Sequence, residues 1–233
     1  GSIINPDGIY QIELDKQNSL WQNEIIAIEC EVELETLENK EIIFTLGVGQ
    51  TVLECQDIAY KYNNLSKAKE EYKNTKNYWK NMTENLQVNT PLESINILLN
   101  SWLIYQTITS RLLAKTGYYQ SGGAYGFRDQ LQDTIALKYV NPDITKQQII
   151  KHSKHQFIEG DVEHWWHDET SRGIRTRFSD DRLWLVYLVE DYIAFTGDKE
   201  ILDIKTPYLK GNLLENDVDE RYDMYEQSEI EES

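Results

Sequence analysis

The sequence predicts a mainly α-helical fold with a β part at its N-terminal end, and three observations carry that prediction. Ile26, Ile28, Cys30, Val32 and Leu34 alternate with Ala27, Glu29, Glu31 and Glu33, the period-two signature of a strand with one buried face. From about Asp57 the period lengthens, and successive segments each carry one apolar stripe at helical spacing. Long loops rich in glycine and aromatic residues join those segments. Consecutive helices with one apolar face each suit a helical bundle or an (α/α) toroid.

The elements follow in chain order. Residues 9–14 and 42–46 are expected strand neighbours of the alternating segment, with Gly47 and Gly49 ending the latter. Three or four strands cannot close a barrel, so they are read as the end of a larger antiparallel sandwich with an unpaired edge. Cys30 is expected to act as a small core residue, and with Cys55 it is too little for a disulfide framework. Residues 66–80, rich in Lys, Glu and Asn, suit a solvated linker helix. In Thr90-Pro91-Leu92-Glu93, Thr as N-cap, Pro at the first helical position and Glu at the third make a capping box. Behind it Ile95, Leu98, Leu99, Trp102, Tyr105, Leu112 and Leu113 fall mostly on one face.

A second helix is expected after Arg128, stopping before Asn141-Pro142. A third runs over 144–158 and ends at Gly160. The fourth starts with Ser179 as N-cap, places Asp180 and Asp181 where carboxylates favour the helix dipole, and ends at Gly197. The tail from Asn212 to Ser233 holds nine carboxylates against one Arg221 and reads as a loop or frayed end. The expected divisions are residues 1–54 for the β part, 55–89 for the linker helix region and 90–233 for the helical part.

Composition removes several function classes. The 233 residues carry 40 acidic and 23 basic side chains, a net charge of −17, which opposes binding to nucleic acid or anionic lipid. An apolar share of 40% is too high for a disordered acidic chain. No apolar run reaches the roughly 18–20 residues that cross a bilayer. The N-terminal residues show no basic n-region or cleavage signature, so the compartment is read as cytoplasmic.

Two segments concentrate the polar and aromatic side chains. In residues 118–133, Gly122, Gly123 and Gly126 permit close backbone approach to a ligand, and Arg128 stands beside Asp129 and near Asp133. An Arg held by carboxylates presents a fixed fork of donors suited to a vicinal diol or an anion; equally, it can only pin a loop to its helix. The glycines match neither the Walker A nor the dinucleotide spacing. In residues 159–181, Trp165 and Trp166 are paired in an expected loop beside carboxylates, imidazoles and guanidiniums. Indoles that cover the apolar face of a pyranose, next to charged groups that grip its hydroxyls, make a sugar site. His152, His155, His164 and His167 form two His-x-x-His pairs, but no Cys joins them and the spacing is not that of a zinc motif. No metal is assigned, and His152 and His155 are expected on a helix surface.

The segments YQSGGAYGFRDQLQD (119–133), QFIEGDVEHWWH (156–167) and RGIRTRFSDDRLWL (172–185) closely resemble glycoside hydrolase family 94. Within the family the resemblance is to cyclic β-1,2-glucan synthases and to 1,2-β-oligoglucan and cellobiose phosphorylases. It implies the start of an (α/α)6 barrel preceded by the end of an antiparallel β-sandwich. It also implies an enzyme that cleaves β-glucosidic bonds with inversion, using inorganic phosphate as co-substrate and no cofactor, to give α-glucose 1-phosphate. With phosphate as nucleophile, one carboxyl general acid suffices, unlike the carboxylate pair of an inverting hydrolase.

By the same resemblance Arg128 and Asp133 grip the donor-subsite sugar, and Asp129 orients Arg128. Trp165, Trp166 and His167 line the cleft, and Arg175, Asp180 and Asp181 lie near its floor. The family's general acid sits in a Trp-Asn-Asp segment that these 233 residues lack. No catalytic residue is therefore assigned, and the chain is read as an internal fragment, inactive alone. Its expected partners are a β-linked oligosaccharide, inorganic phosphate and the missing C-terminal half of the barrel, with a homodimer as one way to cover its exposed apolar surface. The alternatives are a non-catalytic carbohydrate-binding module and a helical scaffold for protein contact.

Overall fold

The computed structural model describes residues 28–113 and 123–233. The chain divides into two compact units, residues 1–70 and 71–233.

In the first unit, residues 28–49 form no sheet ladder among the described residues; they contain a turn in which Glu38 N–H donates to Glu35 O at 3.0 Å. The expected strand over 42–46, and the described part of the one over 26–34, thus find no ladder partner among the described residues, and their expected neighbour over 9–14 lies outside them. The alternation is present, but an extended segment becomes a strand only when a neighbour supplies ladder partners. Ile28, Leu34, Phe44 and Leu46 are accordingly exposed, as is Cys30, which is not a core residue here. Helix α1 (Val52–Tyr62) starts at Thr51, whose Oγ1 accepts from Glu54 N–H at 3.2 Å. Helix α2 (Leu65–Glu84) follows, polar along most of its length as a solvated helix should be.

In the second unit the expected capping box does not form. The helix begins at Glu93, with Pro91 ahead of it, as α3 (Glu93–Ile97), a π-helical turn (Leu98–Trp102), α4 (Leu103–Thr107) and a second π-helical turn (Ile108–Leu112). Two asparagines explain the displacement. The Asn96 side chain accepts from Thr90 N–H (2.7 Å) and donates to Thr90 O (3.0 Å), while Asn100 does the same with Val88 (2.7 and 2.9 Å). Residues 88–90 are thus held extended against the helix flank, and Thr90 is too committed to cap.

Strand β1 (Tyr125–Gly126) leads into α5 (Phe127–Thr134) and a 3₁₀ turn (Ile135–Tyr139). Helix α6 (Pro142–Ser153) starts two residues ahead of the expected 144, because Asn141 caps it, with Oδ1 accepting from Asp143 N–H at 3.1 Å, and Pro142 suits its first turn. It ends before Gly160, five residues short of the expected Ile158. Helix α7 (Asp181–Thr196) has Asp180, not Ser179, at its N-cap and closes on Gly197 at φ 75°, a left-handed position that glycine takes without strain.

The segment expected as a loop is instead a hairpin of β2 (Glu163–His167) and β3 (Arg172–Thr176). The acidic tail is no frayed end either. With β4 defined as Thr206–Lys210, the tail supplies β5 (Glu220–Met224) to β3 and β6 (Glu226–Glu232) to β4. The larger sheet runs β1-β2-β3-β5, antiparallel throughout. Carboxylates do not prevent this, because ladder bonds come from the backbone while the acidic side chains stay in water. Tyr225, between the two strands, anchors them by packing edge-on to Phe157 at 5.0 Å.

Phe127, Leu131, Ile149, Trp166, Leu185 and Leu188 form the core that joins α5, α6, α7 and the sheet. A second cluster, of Met82, Ile104, Ile108, Leu112, Leu137 and Val140, ties the end of α2 and the α4 region to the turn after α5.

Candidate functional site

Helices α5 and α7 bring their N-terminal ends together, because both pack the same core. Arg128, in the first turn of α5, donates from Nη1 to Asp180 Oδ2 at 3.0 Å and lies over the Trp184 ring at 5.3 Å. Asp180 stands just ahead of α7 and Trp184 one turn in, so one helix start supplies both a carboxylate and an indole to the same guanidinium. The pair is about half exposed, at 47% and 49%, which leaves the remaining Arg donors open to a ligand.

Asp181, the next residue, is buried, and its Oδ2 lies 2.6 Å from His164 Nδ1. A β-bulge between Glu163 and Trp165 takes His164 out of the β2–β3 ladder and turns it toward α7. Burial pushes the Asp181 carboxyl above the usual carboxylate range; His164 opposes this, and the charges of Asp180 and Asp129 add to it.

Asp129 does not orient Arg128, whose carboxylate partner is Asp180. Its own carboxyl folds back over Gly126, where a Cβ would stand 2.4 Å from Asp129 Oδ2, so a larger residue there would have to displace that carboxyl. Asp133 goes elsewhere, accepting from Arg111 Nε at 2.5 Å. Five residues on a helix turn the chain about 140° beyond a full turn, so Arg128 and Asp133 reach different neighbours.

Trp165 and Trp166 point to opposite faces of β2, as consecutive strand residues must. Trp165 is partly buried, 5.5 Å from both the His167 and the Tyr222 rings. Trp166 is 1% exposed and belongs to the core, with one side bordering the cavity that His155 and Glu163 also line. His152 and His155 are likewise not surface residues: His152 is buried against Phe127 and Trp166, and His155 stacks on Trp166 with ring centres 3.7 Å apart.

Arg175 is fully buried, and all five of its N–H groups are used. Nε and Nη2 meet Asp161 at 2.6 Å each, Nη2 also meets Glu159 at 3.0 Å, and Nη1 donates to Gly211 O and Asn212 O at 3.2 and 3.1 Å. It fastens β3 to two loops rather than facing a cleft floor. The residues missed by the sequence reading are His164 and Trp184. Trp184 lies four residues after Asp180, a spacing that was legible; the bulge that frees His164 was not. Among the described residues no three of His, Cys, Asp and Glu converge as metal ligands.

Residues 78–221 match the catalytic domain of the glycosyl hydrolase 94 superfamily, and residues 1–65 match the glycosyl hydrolase 94 supersandwich domain. The chain belongs to glycosyl hydrolase family 94. This family 94 chain is 34% identical over 218 residues to the cyclic beta-(1,2)-glucan synthase NdvB of Rhizobium meliloti (strain 1021), covering 92% of itself and 8% of that protein. It is 24% identical over 235 residues to the N,N'-diacetylchitobiose phosphorylase of Vibrio furnissii, covering 89% of itself and 29% of the relative. Against the solabiose phosphorylase of Paenibacillus borealis it is 33% identical over 128 residues, 55% of itself and 15% of the relative. The chain therefore spans less than a third of the length of each of these proteins.

Proposed function

We propose that this chain forms the donor-sugar side of an inverting glycoside phosphorylase acting on β-glucosides, with β-1,2-linked glucans as the favoured substrate. The observation that carries the reading is the Arg128–Asp180–Trp184 cluster at the meeting N-termini of α5 and α7. A guanidinium held flat by a carboxylate and an indole offers paired donors to adjacent sugar hydroxyls, and Asp181–His164 supplies a second polar pair beside it. Trp165 and His167 extend the aromatic lining; Asp133 contributes through Arg111, and Asp129 by holding the α5 entry. The 34% identity to a β-1,2-glucan synthase supports the choice of linkage.

In the reaction so read, a phosphate oxygen attacks the anomeric carbon from the face opposite the departing sugar. The C–O bond to the acceptor breaks, and a carboxylic acid outside these residues protonates the leaving oxygen. The products are α-glucose 1-phosphate and a glucan shortened by one unit. The chain's own residues bind and orient the donor sugar and do not transfer the proton. Alone it is expected to be inactive, with the remaining barrel helices or a second copy covering the exposed α7 side chains Leu183, Val186 and Tyr187. A cytoplasmic compartment is part of the same proposal. The second reading is a non-catalytic carbohydrate-binding module, in which the same Arg128–Asp180–Trp184 cluster would hold a sugar without turnover.

Calorimetric titration with the β-1,2-linked glucose disaccharide tests the proposal. Saturable binding is expected, and Arg128→Ala should abolish it while moving the melting midpoint little, since an exposed ion pair contributes at most about 1 kcal/mol. Binding unchanged by that substitution would refute the site. Release of glucose 1-phosphate by a longer chain that includes a Trp-Asn-Asp segment separates the enzyme from the module. Turnover by the 233 residues alone would overturn the assignment of no catalytic acid.

A further inference from the structure

Across β2 from Trp165 and His167 lies a buried carboxyl that the proposed sugar contacts leave unused. The Glu163 side chain is 2% exposed, with Oε2 placed 2.7 Å from His155 Nδ1. Its Oε1 has no hydrogen-bond partner and is pressed beneath Gly173, where a Cβ would stand 1.8 Å from it. Its cross-strand neighbour Arg175 has spent every donor on Asp161, Glu159 and two carbonyls, and Lys151 is engaged by Asp168 at 2.5 Å. With Oε1 unpartnered and a single imidazole beside Oε2, a buried anion here is poorly compensated, and the setting favours the protonated carboxyl, which would donate to His155 Nδ1.

The electrostatics agree with that geometry. Burial, reinforced by Asp168, pushes Glu163 up to about 8. Burial also holds His155 down to about 2, with His152, Lys151 and Lys154 from α6 and its end acting in the same direction. From the other side the pair faces Tyr225 and Glu226, which line the same cavity of about 450 Å³. Asp223 on β5 adds a further carboxylate near Tyr225.

The neutral His155 ring lies flat on Trp166, at 3.7 Å and 16° between planes, and the Trp166 indole N–H is fixed by Asp168 Oδ1 at 2.7 Å. Trp166 in turn separates Trp165 from His167 along one strand. We propose that the protonated Glu163–His155 pair is a positioning device that locks Trp166 and so sets β2 to present Trp165, His167 and the bulged His164 to the sugar. Loss of the proton leaves a buried anion beside an open cavity, into which the carboxylate or the imidazole can swing, and the stack on Trp166 loosens. The link to the sugar rests on the function proposed above; the lock itself does not.

Glu163→Gln tests it, because an amide N–H donates to His155 Nδ1 at every pH without changing the shape. The measurements are affinity for the β-1,2-linked glucose disaccharide, and tryptophan fluorescence and melting midpoint without sugar, each from about pH 6 to about pH 9.5. The original chain should lose roughly tenfold in affinity across the alkaline half of that range, and E163Q should not. Without sugar, the original chain should show a fluorescence transition centred near pH 8 and a melting midpoint that falls as pH rises toward 8 and levels off above it, both absent from E163Q. Superimposable sugar-free profiles for the two chains would overturn the proposal. If those profiles differ as expected but no sugar binds at any pH, the lock stands and the sugar reading falls.

Discussion

At the scale of single residues, the site is shaped as much by what is missing from glycine as by what the polar side chains supply. Gly173 leaves room for the Glu163 carboxyl, and Gly126 for that of Asp129. A Cβ at 1.8 Å from Glu163 Oε1, and 2.5 Å from the Trp165 carbonyl oxygen, cannot be absorbed by one side-chain rotation, since backbone is also in the way. Gly173→Ala should therefore destabilise the second unit by about 1–3 kcal/mol, read as a shift in urea midpoint at unchanged slope. A variant as stable as its parent would mean that β2 and β3 slide apart freely. The spacing of Arg128 from Asp180 and Trp184 could be found in the sequence once the start of α7 was fixed to within a residue. The orphaned Glu163 oxygen could not, because nothing about Glu163 in the chain marks it as buried.

At the scale of elements, the β2–β3 hairpin is held by one buried cation. Arg175 joins β3 to Asp161 and Glu159 before the hairpin and to the Gly211–Asn212 backbone after β4, and its guanidinium lies 3.9 Å from the Phe157 ring. Arg175→Ala would strand Asp161 without its partner and leave two carbonyls unpaired. The expected cost is about 3–5 kcal/mol, with earlier hydrogen exchange in β3 and β5 than in α6 and α7. Uniform loss of protection across both groups would refute Arg175 as a local fastener. Helix ends were legible wherever a local signal acted alone, as at Gly197, whose left-handed backbone closes α7. A helix start was displaced where side chains further along intervened: Asn96 and Asn100 take up the backbone at Thr90 and Val88, and the helix begins at Glu93 instead.

At the scale of the whole molecule, the second unit is built around a core that includes an uncharged imidazole. His152 is fully buried, with Nδ1–H donating to Gln148 O at 2.7 Å and Nε2 unpartnered, and burial lowers it to about 4. A group depressed from 6.5 to about 4 contributes stability that is complete above pH 6.5 and is lost as pH falls through 4. The melting midpoint of the chain should drop over that window, and His152→Leu should flatten the drop even if it lowers the midpoint at neutral pH. An unchanged acid limb in that variant would show that other groups control acid unfolding.

What the sequence by itself determined was the family and the approximate course of the helices that follow the linker. Apolar spacing, Pro and Gly punctuation and long motifs are local properties of the chain, readable without knowing what lies across from them. The strands of residues 163–176 and 220–232 were decided only by tertiary structure, since their sequences are acidic or aromatic without clean alternation and pair through backbone groups that any residue has. The roles within the motifs were decided there too. Trp165 and Trp166 are neighbours in sequence, yet the pleat sends one to the His167 and Tyr222 rings and the other into the core. Arg128 and Arg175 have the same chemistry, but one keeps open donors at a helix start while the other is saturated by its own fold.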